Sequence, residues 1–201
     1  MADTTGALSE VKVANMAATT LDEEHLTSLD DDTALGRFMA ANFGPCRDEV
    51  NRLHPWVFAK TRAEVAKLAD APTFDWLYQY QLPTTCIRPL PLRCEGRWNA
   101  PIVPHEREGR LILCNEQSPI KLVYIKRITN MSEWEPLAAR VLADYLALKG
   151  AQRMTGKESY VVKARQLLAQ SLEDAKHVNG LDWGTPEYDE ESDVHSVRLL
   201  G

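Results

Sequence analysis

The side chains able to do chemistry are few, and they are scattered. The histidines, His25, His54, His105, His177 and His195, fall at helix ends, in loops and in the C-terminal tail. General acid–base work needs such a ring within hydrogen-bond reach of a second polar group, and no pair stands together in the sequence. His54, beside Pro55 and Trp56, reads as a packing residue at a helix end. Cys46, Cys86, Cys94 and Cys114 form no C-x-x-C pair and lack the tight spacing of a zinc site, so reduced, partly buried thiols are expected. The run Asp30-Asp31-Asp32 has neither the glycine turn nor the later glutamate of a calcium loop, and reads as a cap that sets negative charge at the positive end of the next helix. Glycine-rich phosphate loops, Gly-x-Ser-x-Gly elbows and His-Glu-x-x-His pairs are missing too. The expectation is a protein without catalytic, cofactor or metal residues, in which Arg62, Arg88, Arg97 and Arg107 serve as partners for acidic neighbours at an interface.

The elements that carry these residues follow from patterning. A chain of 201 residues, 44% hydrophobic and 26% charged, can bury a core and suits one compact domain with tails. Its net charge of −6 argues against gripping nucleic acid, which needs clustered Lys and Arg to displace counterions. No apolar run approaches the ~20 residues of a membrane span, and the first residues carry Asp3 and no charged-then-apolar signal pattern, so the protein is expected to be soluble and not exported by itself.

The most patterned stretch is Phe74 to Leu82. Every second residue is large and apolar, which predicts a strand burying Phe74, Trp76, Tyr78, Tyr80 and Leu82 on one face, worth on the order of 10 kcal/mol. Before it, helical stripes predict a short helix from Thr5 to about Thr19 and a longer one from Thr33 to Leu53, kinked at Gly44-Pro45 and ended by His54-Pro55. Trp56-Val57-Phe58-Ala59 reads as the first strand and Glu64–Ala69 as a turn or helical piece. After it come a strand over Cys86–Leu92, a long loop or hairpin tip over Arg93–Arg110 that embeds Trp98, and strands over Arg110–Cys114 and Ile120–Ile125 joined by a turn. The sheet is expected to be one small antiparallel sheet of about four strands. Helices then return. Ser132 and Glu135 form a capping box, and Trp134, Leu137, Ala138, Val141, Leu142, Tyr145 and Leu146 mark a strong stripe broken at Gly150 or Gly156. Tyr160 to Ala175 make the last helix, packed antiparallel on the one before it.

The fold class expected is therefore α+β, a bundle of about four helices with a small antiparallel β-sheet inserted. Residues 1–180 make the domain, with helices over 5–55 and 132–178 and the β insertion over 56–130. Trp56, Phe58, Phe74, Trp76, Tyr78, Tyr80 and Trp134 are its expected core aromatics. From 181 the chain turns acidic but keeps Trp183, Tyr188, Val194, Val197, Leu199 and Leu200, more apolar residues than a solvating end requires, so an arm that orders on a partner and plain disorder both fit.

Three stretches in this order, Ser28-Leu29-Asp30-Asp31, Arg52-Leu53-His54-Pro55-Trp56-Val57-Phe58-Ala59, and Tyr78-Gln79-Tyr80-Gln81-Leu82-Pro83-Thr84-Thr85-Cys86-Ile87-Arg88, give the chain its likeness to a known family. From Leu8 to Ala175 it resembles the tail tubular protein A family of tailed bacteriophages, the head-to-tail adaptors or gatekeepers of the virion neck. The resemblance implies a non-enzymatic ring, a homo-oligomer of about twelve copies closed through head-to-tail contacts. It would dock below the portal protein and join the tail nozzle on its other side, with genomic DNA passing through the lumen unheld. The implied location is the virion, after assembly in the host bacterial cytoplasm. The acidic segment lies outside the resemblance. Its apolar residues Trp183, Tyr188, Val194, Val197, Leu199 and Leu200 suit a portal-binding arm, and Arg97, Trp98 and Arg107 a loop facing the tail. The alternative is a cytosolic binding or regulatory protein with no virion role.

Overall fold

The computed structural model describes residues 7–97 and 99–183. Helix α1 (Glu10–Leu21) starts where the Ser9 hydroxyl accepts from the Lys12 amide, and it buries Val13, Ala14, Ala17, Ala18 and Leu21. Asp22, at φ 56, ends it in the left-handed region. The following loop is held to α1 by Asn15, whose amide both donates to the Leu26 carbonyl and accepts from its N–H. Helix α2 (Ala34–Leu53) is capped by Thr33, not by the aspartate run. Asp31 instead folds back to accept from the Thr27 and Ser28 amides, which hold its carboxyl below the usual range, and Asp32 pairs with Arg37. α2 runs through Gly44 and Pro45 as one element and stops where His54, before Pro55, turns extended at ψ 151°.

The expected first strand is absent. Trp56 is buried, Val57–Ala59 form a 3-10 turn, and strand β1 begins one residue later as Lys60–Val65, taking in part of what the sequence suggested was a turn. The remaining strands are β2 (Tyr78–Gln81), β3 (Cys86–Pro89), β4 (His105–Glu108), β5 (Leu111–Cys114) and β6 (Ile120–Lys126). They make two three-stranded antiparallel sheets where one was expected, in the orders β1-β6-β3 and β2-β5-β4. β5 and β6 do not form a hairpin. β5 is flanked on both sides by β2 and β4, so β6 has no free edge to join and instead becomes the centre of the other sheet. β4 lies inside the stretch expected to be loop.

Helices α3 (Pro136–Thr155) and α4 (Glu158–Asp182) complete the bundle. The expected capping box is not made. Ser132 sits in a 3-10 turn held by Asn130, while Glu135 caps α3 by accepting from the Ala138 amide, with Pro136 preset for the first helical position. Gly156, at φ 64, closes α3, and two residues later α4 folds back along it. α4 continues past Asn179-Gly180 to Asp182, beyond the end the sequence suggested.

Two cores result. The larger joins all four helices and takes in Trp56, Ala59 and Ile125 from the β part. The smaller lies within the β part around Tyr80, Leu82, Ile112, Ile120 and Leu122. The larger core reaches the β part through an aromatic joint, where Phe58 lies 6.2 Å from Trp56 and 5.2 Å from Trp134 between ring centres. The fold is α+β, and no helix of the described residues is long and apolar enough to cross a membrane.

Candidate interaction site

The C-terminal end of α4 is built onto the β part by a small polar cluster. Asn179, 7% exposed, accepts from the Val57 amide at 2.8 Å and donates to His54 Nε2 at 2.9 Å. Val57 lies at the start of the 3-10 turn, where its N–H has no intrahelical carbonyl to reach, so Asn179 satisfies a donor that burial would otherwise penalise. His54 packs edge-on against Trp56 at 4.9 Å. Burial first, then the nearby cations Lys176 and Arg88, pull its pKa down to about 4, so at neutral pH it is an uncharged acceptor for Asn179. One turn further, Lys60 Nζ stands 3.9 Å from the centre of the Trp183 ring. Burial, with Arg62 beside it, lowers the Lys60 ammonium as well. The chemistry of this cluster is positional: it fixes where the chain leaves the domain.

Of the expected arm residues, Trp183 is thus placed at the root, while Tyr188, Val194, Val197, Leu199 and Leu200 lie outside the described residues, as do Trp98 of the expected tail-facing loop and His195. Arg97 pairs with Glu95 at 2.8 Å on a 3-10 turn over Cys94–Gly96, and Arg107 on β4 donates to the Gly109 carbonyl; both are exposed. Among the expected core aromatics Trp56, Tyr80 and Trp134 are buried, and Phe58, Trp76 and Tyr78 are half-buried. Phe74 is a correction. It is 72% exposed, because Asp75 takes a left-handed φ of 66° that breaks the alternation, and the strand begins only at Tyr78. Trp76 caps this tip by donating to Glu106 at 3.2 Å, and the Leu77 amide donates to Asn115. With Leu77 62% exposed and Leu68 beside the Gln79 carbonyl, the loop over 66–77 presents an apolar tip that period-two reading hid.

No catalytic pair forms from the described histidines. His25 meets the Thr19 hydroxyl, His105 the Val103 carbonyl, and His177 is exposed. Cys46, Cys86 and Cys114 are buried; burial raises all three thiols, that of Cys46 to about 11, which makes them poor nucleophiles. Among the described residues no three His, Cys, Asp or Glu side chains gather as a metal cluster. Sequence reading missed Asn179 because Asn-Gly ordinarily marks a turn. Compared with protein-family models and with curated proteins, the chain matches none.

Proposed function

We propose that the chain is a non-enzymatic head-to-tail adaptor of a tailed bacteriophage, one subunit of a ring between portal and tail nozzle through which the genome passes without being held. What supports this reading is the resemblance of the two ordered stretches Arg52–Ala59 and Tyr78–Arg88 to the tail tubular protein A family. Their placement supports it. The first motif makes the joint between bundle and β part, with Trp56 donating to the Val50 carbonyl and Arg52 to the Ile87 carbonyl of the second motif. The motifs therefore touch, and their chemistry is packing, as suits a structural part.

A closed ring needs two unlike surfaces on each copy, because its contacts are head-to-tail. The apolar tip around Phe74 and Leu77 and the open face of β1 and β6 offer such a pair. A net charge of −6 suits a conduit that DNA must traverse freely. In this reading the segment from Trp183 onward faces the portal, and Arg97, Trp98 and Arg107 face the tail. Mass spectrometry of purified virions tests it: the chain is expected in stoichiometric amounts with portal and tail proteins, and its absence from particles overturns the reading.

A further inference from the structure

A three-stranded sheet ends in two edge strands, and an open edge presents unpaired amides and carbonyls to any strand that fits it. Three of the four edges among the described residues are closed to such a strand. Outside β2, Lys67 bridges to Tyr80 and the Leu68 amide donates to the Gln79 carbonyl. β3 shifts register between Cys86 and Arg88 and ends on Pro89, which has no N–H to give. β4 is short, and its run His105-Glu106-Arg107-Glu108 repels a copy of itself: centred on Glu106 or on Arg107, a two-fold pairing sets Glu106 against Glu106 or against Glu108.

β1 has none of these guards. It holds unbroken register with β6 from Lys60 to Val65 and contains neither glycine nor proline. Among the described residues, no hydrogen bond reaches the backbone of Thr61–Val65 from any element other than β6. The turn over Cys94–Gly96 stands over β6, where a Cβ on Gly96 would lie 2.8 Å from that of Lys121, and a hollow of about 300 Å3 lies between this turn and Arg62 and Glu64. Glu95, on the turn, is held by Arg97. At the start of the strand Lys60 is engaged with Trp183, which leaves Thr61–Val65 as the open stretch.

The charges on this stretch are self-complementary. A two-fold axis normal to the sheet keeps each face continuous, so a residue can stand opposite only those an even number of positions away. Centred on Ala63, the pairing sets Arg62 opposite Glu64 of a second copy, and Glu64 opposite Arg62 of that copy, on the open face. On the face that packs on the β core it sets Ala63 against Ala63 and Thr61 against Val65. Arg62 and Glu64 are exposed, and among the described residues neither has an ion-pair partner. Glu64 already lies cross-strand from Lys121, so the row Lys121, Glu64, Arg62 alternates in sign across the seam. The neighbouring registers do not match: centred on Thr61, Lys60 opposes Arg62, and centred on Arg62 or Glu64 that residue opposes itself.

We propose that two copies of the chain pair antiparallel through β1, about a two-fold axis at Ala63, into one sheet of order β3-β6-β1-β1-β6-β3. The pairing goes beyond the adaptor reading and stands without it. A two-fold contact closes on itself, so if both hold, the pair is a form that opens before copies enter a ring.

Sedimentation equilibrium of the full-length protein tests this, at roughly 0.01 to 0.5 mM because one strand pair is a small interface. Dimers are expected, with no larger species. The axis doubles every contact, so Arg62→Glu or Glu64→Arg alone puts two like-charged pairs in the seam and should weaken dimerisation about ten-fold, with the fold of each variant checked by circular dichroism. In an equimolar mixture of the two variants every introduced charge meets its opposite, and association should return to within about three-fold of the parent. A parent that stays monomeric, species that grow past dimers, dimers indifferent to both variants, or a mixture no tighter than either variant alone would each overturn the proposal. None of these results bears on whether the chain enters virions.

Discussion

In the helical half, Ala14, Ala17, Ala18, Ala138, Ala139, Ala143, Ala147 and Ala151 are wholly buried, and a Cβ added at Gly150 would come within 3.2 Å of the Phe38 ring. Small side chains let the helix backbones approach closely, so the interior tolerates little change of volume. In the β half, the core is a thinner set of larger residues, Tyr80, Leu82, Leu92, Ile112, Ile120 and Leu122, between two sheets of three strands each. Every sheet there has two edge strands, and the exposed tip of Phe74 and Leu77 and the open face of Arg62 and Lys121 both belong to this half. The contrast teaches a division of labour. The bundle is the half packed on small side chains, the β part presents the apolar tip and the open strand face, and the aromatic joint with its Asn179–His54 cluster ties one to the other.

The joint should be the most sensitive point. Trp56→Ala removes a side chain 1% exposed together with its bond to the Val50 carbonyl, and a loss of about 3–5 kcal/mol is expected in denaturant unfolding. A change below about 1 kcal/mol would mean that the halves do not depend on this contact. Within the β half, Tyr80→Phe deletes a phenol that donates to the Glu116 carbonyl at 2.6 Å, leaving that carbonyl short of a partner, and should cost about 1–2 kcal/mol.

The His54 cluster makes a pH prediction. The folded pKa of about 4 lies below the ordinary 6.5, so between those values the unfolded chain binds the extra proton and stability falls as pH falls. After discounting for solvent reaching a half-buried ring, the loss attributable to His54 is on the order of 1–2 kcal/mol between pH 7 and 4. Thermal melts of His54→Gln against the parent should converge toward pH 4; a gap independent of pH would remove His54 from the account. At the other extreme, Phe74→Ser should alter the melting point hardly at all, within about 0.5 kcal/mol, because the ring is already 72% exposed. A large loss there would return Phe74 to a core.

The same contrast explains what the sequence disclosed. Helices were legible, since stripes such as Val141, Leu142, Tyr145 and Leu146 repeat at the helical period whatever the partner. The burial of Trp56 and of Tyr80 was legible as well, though not the 3-10 turn that replaces the strand expected over Trp56–Ala59. Sheet partition was not, because two short strands separated by a turn look like a hairpin, and only the flanking of β5 by β2 and β4 denies β6 that edge. Phe74 failed for a local reason, the left-handed turn at Asp75, and the capping of α3 by Glu135 followed from Pro136 fixing the helix start. Of the interaction site, charge and apolar content marked the chain beyond Trp183, but its root needed the tertiary bond from Asn179 to Val57, which no local pattern announces.

The most direct test of the adaptor reading is to mix the purified chain with the portal rings that this reading assigns it to and weigh the products by native mass spectrometry, with negative-stain images alongside. The adaptor reading predicts portal particles gaining mass in a fixed multiple of this chain and a new collar of density at one end. Portal rings of unchanged mass beside a persistent monomer would contradict it.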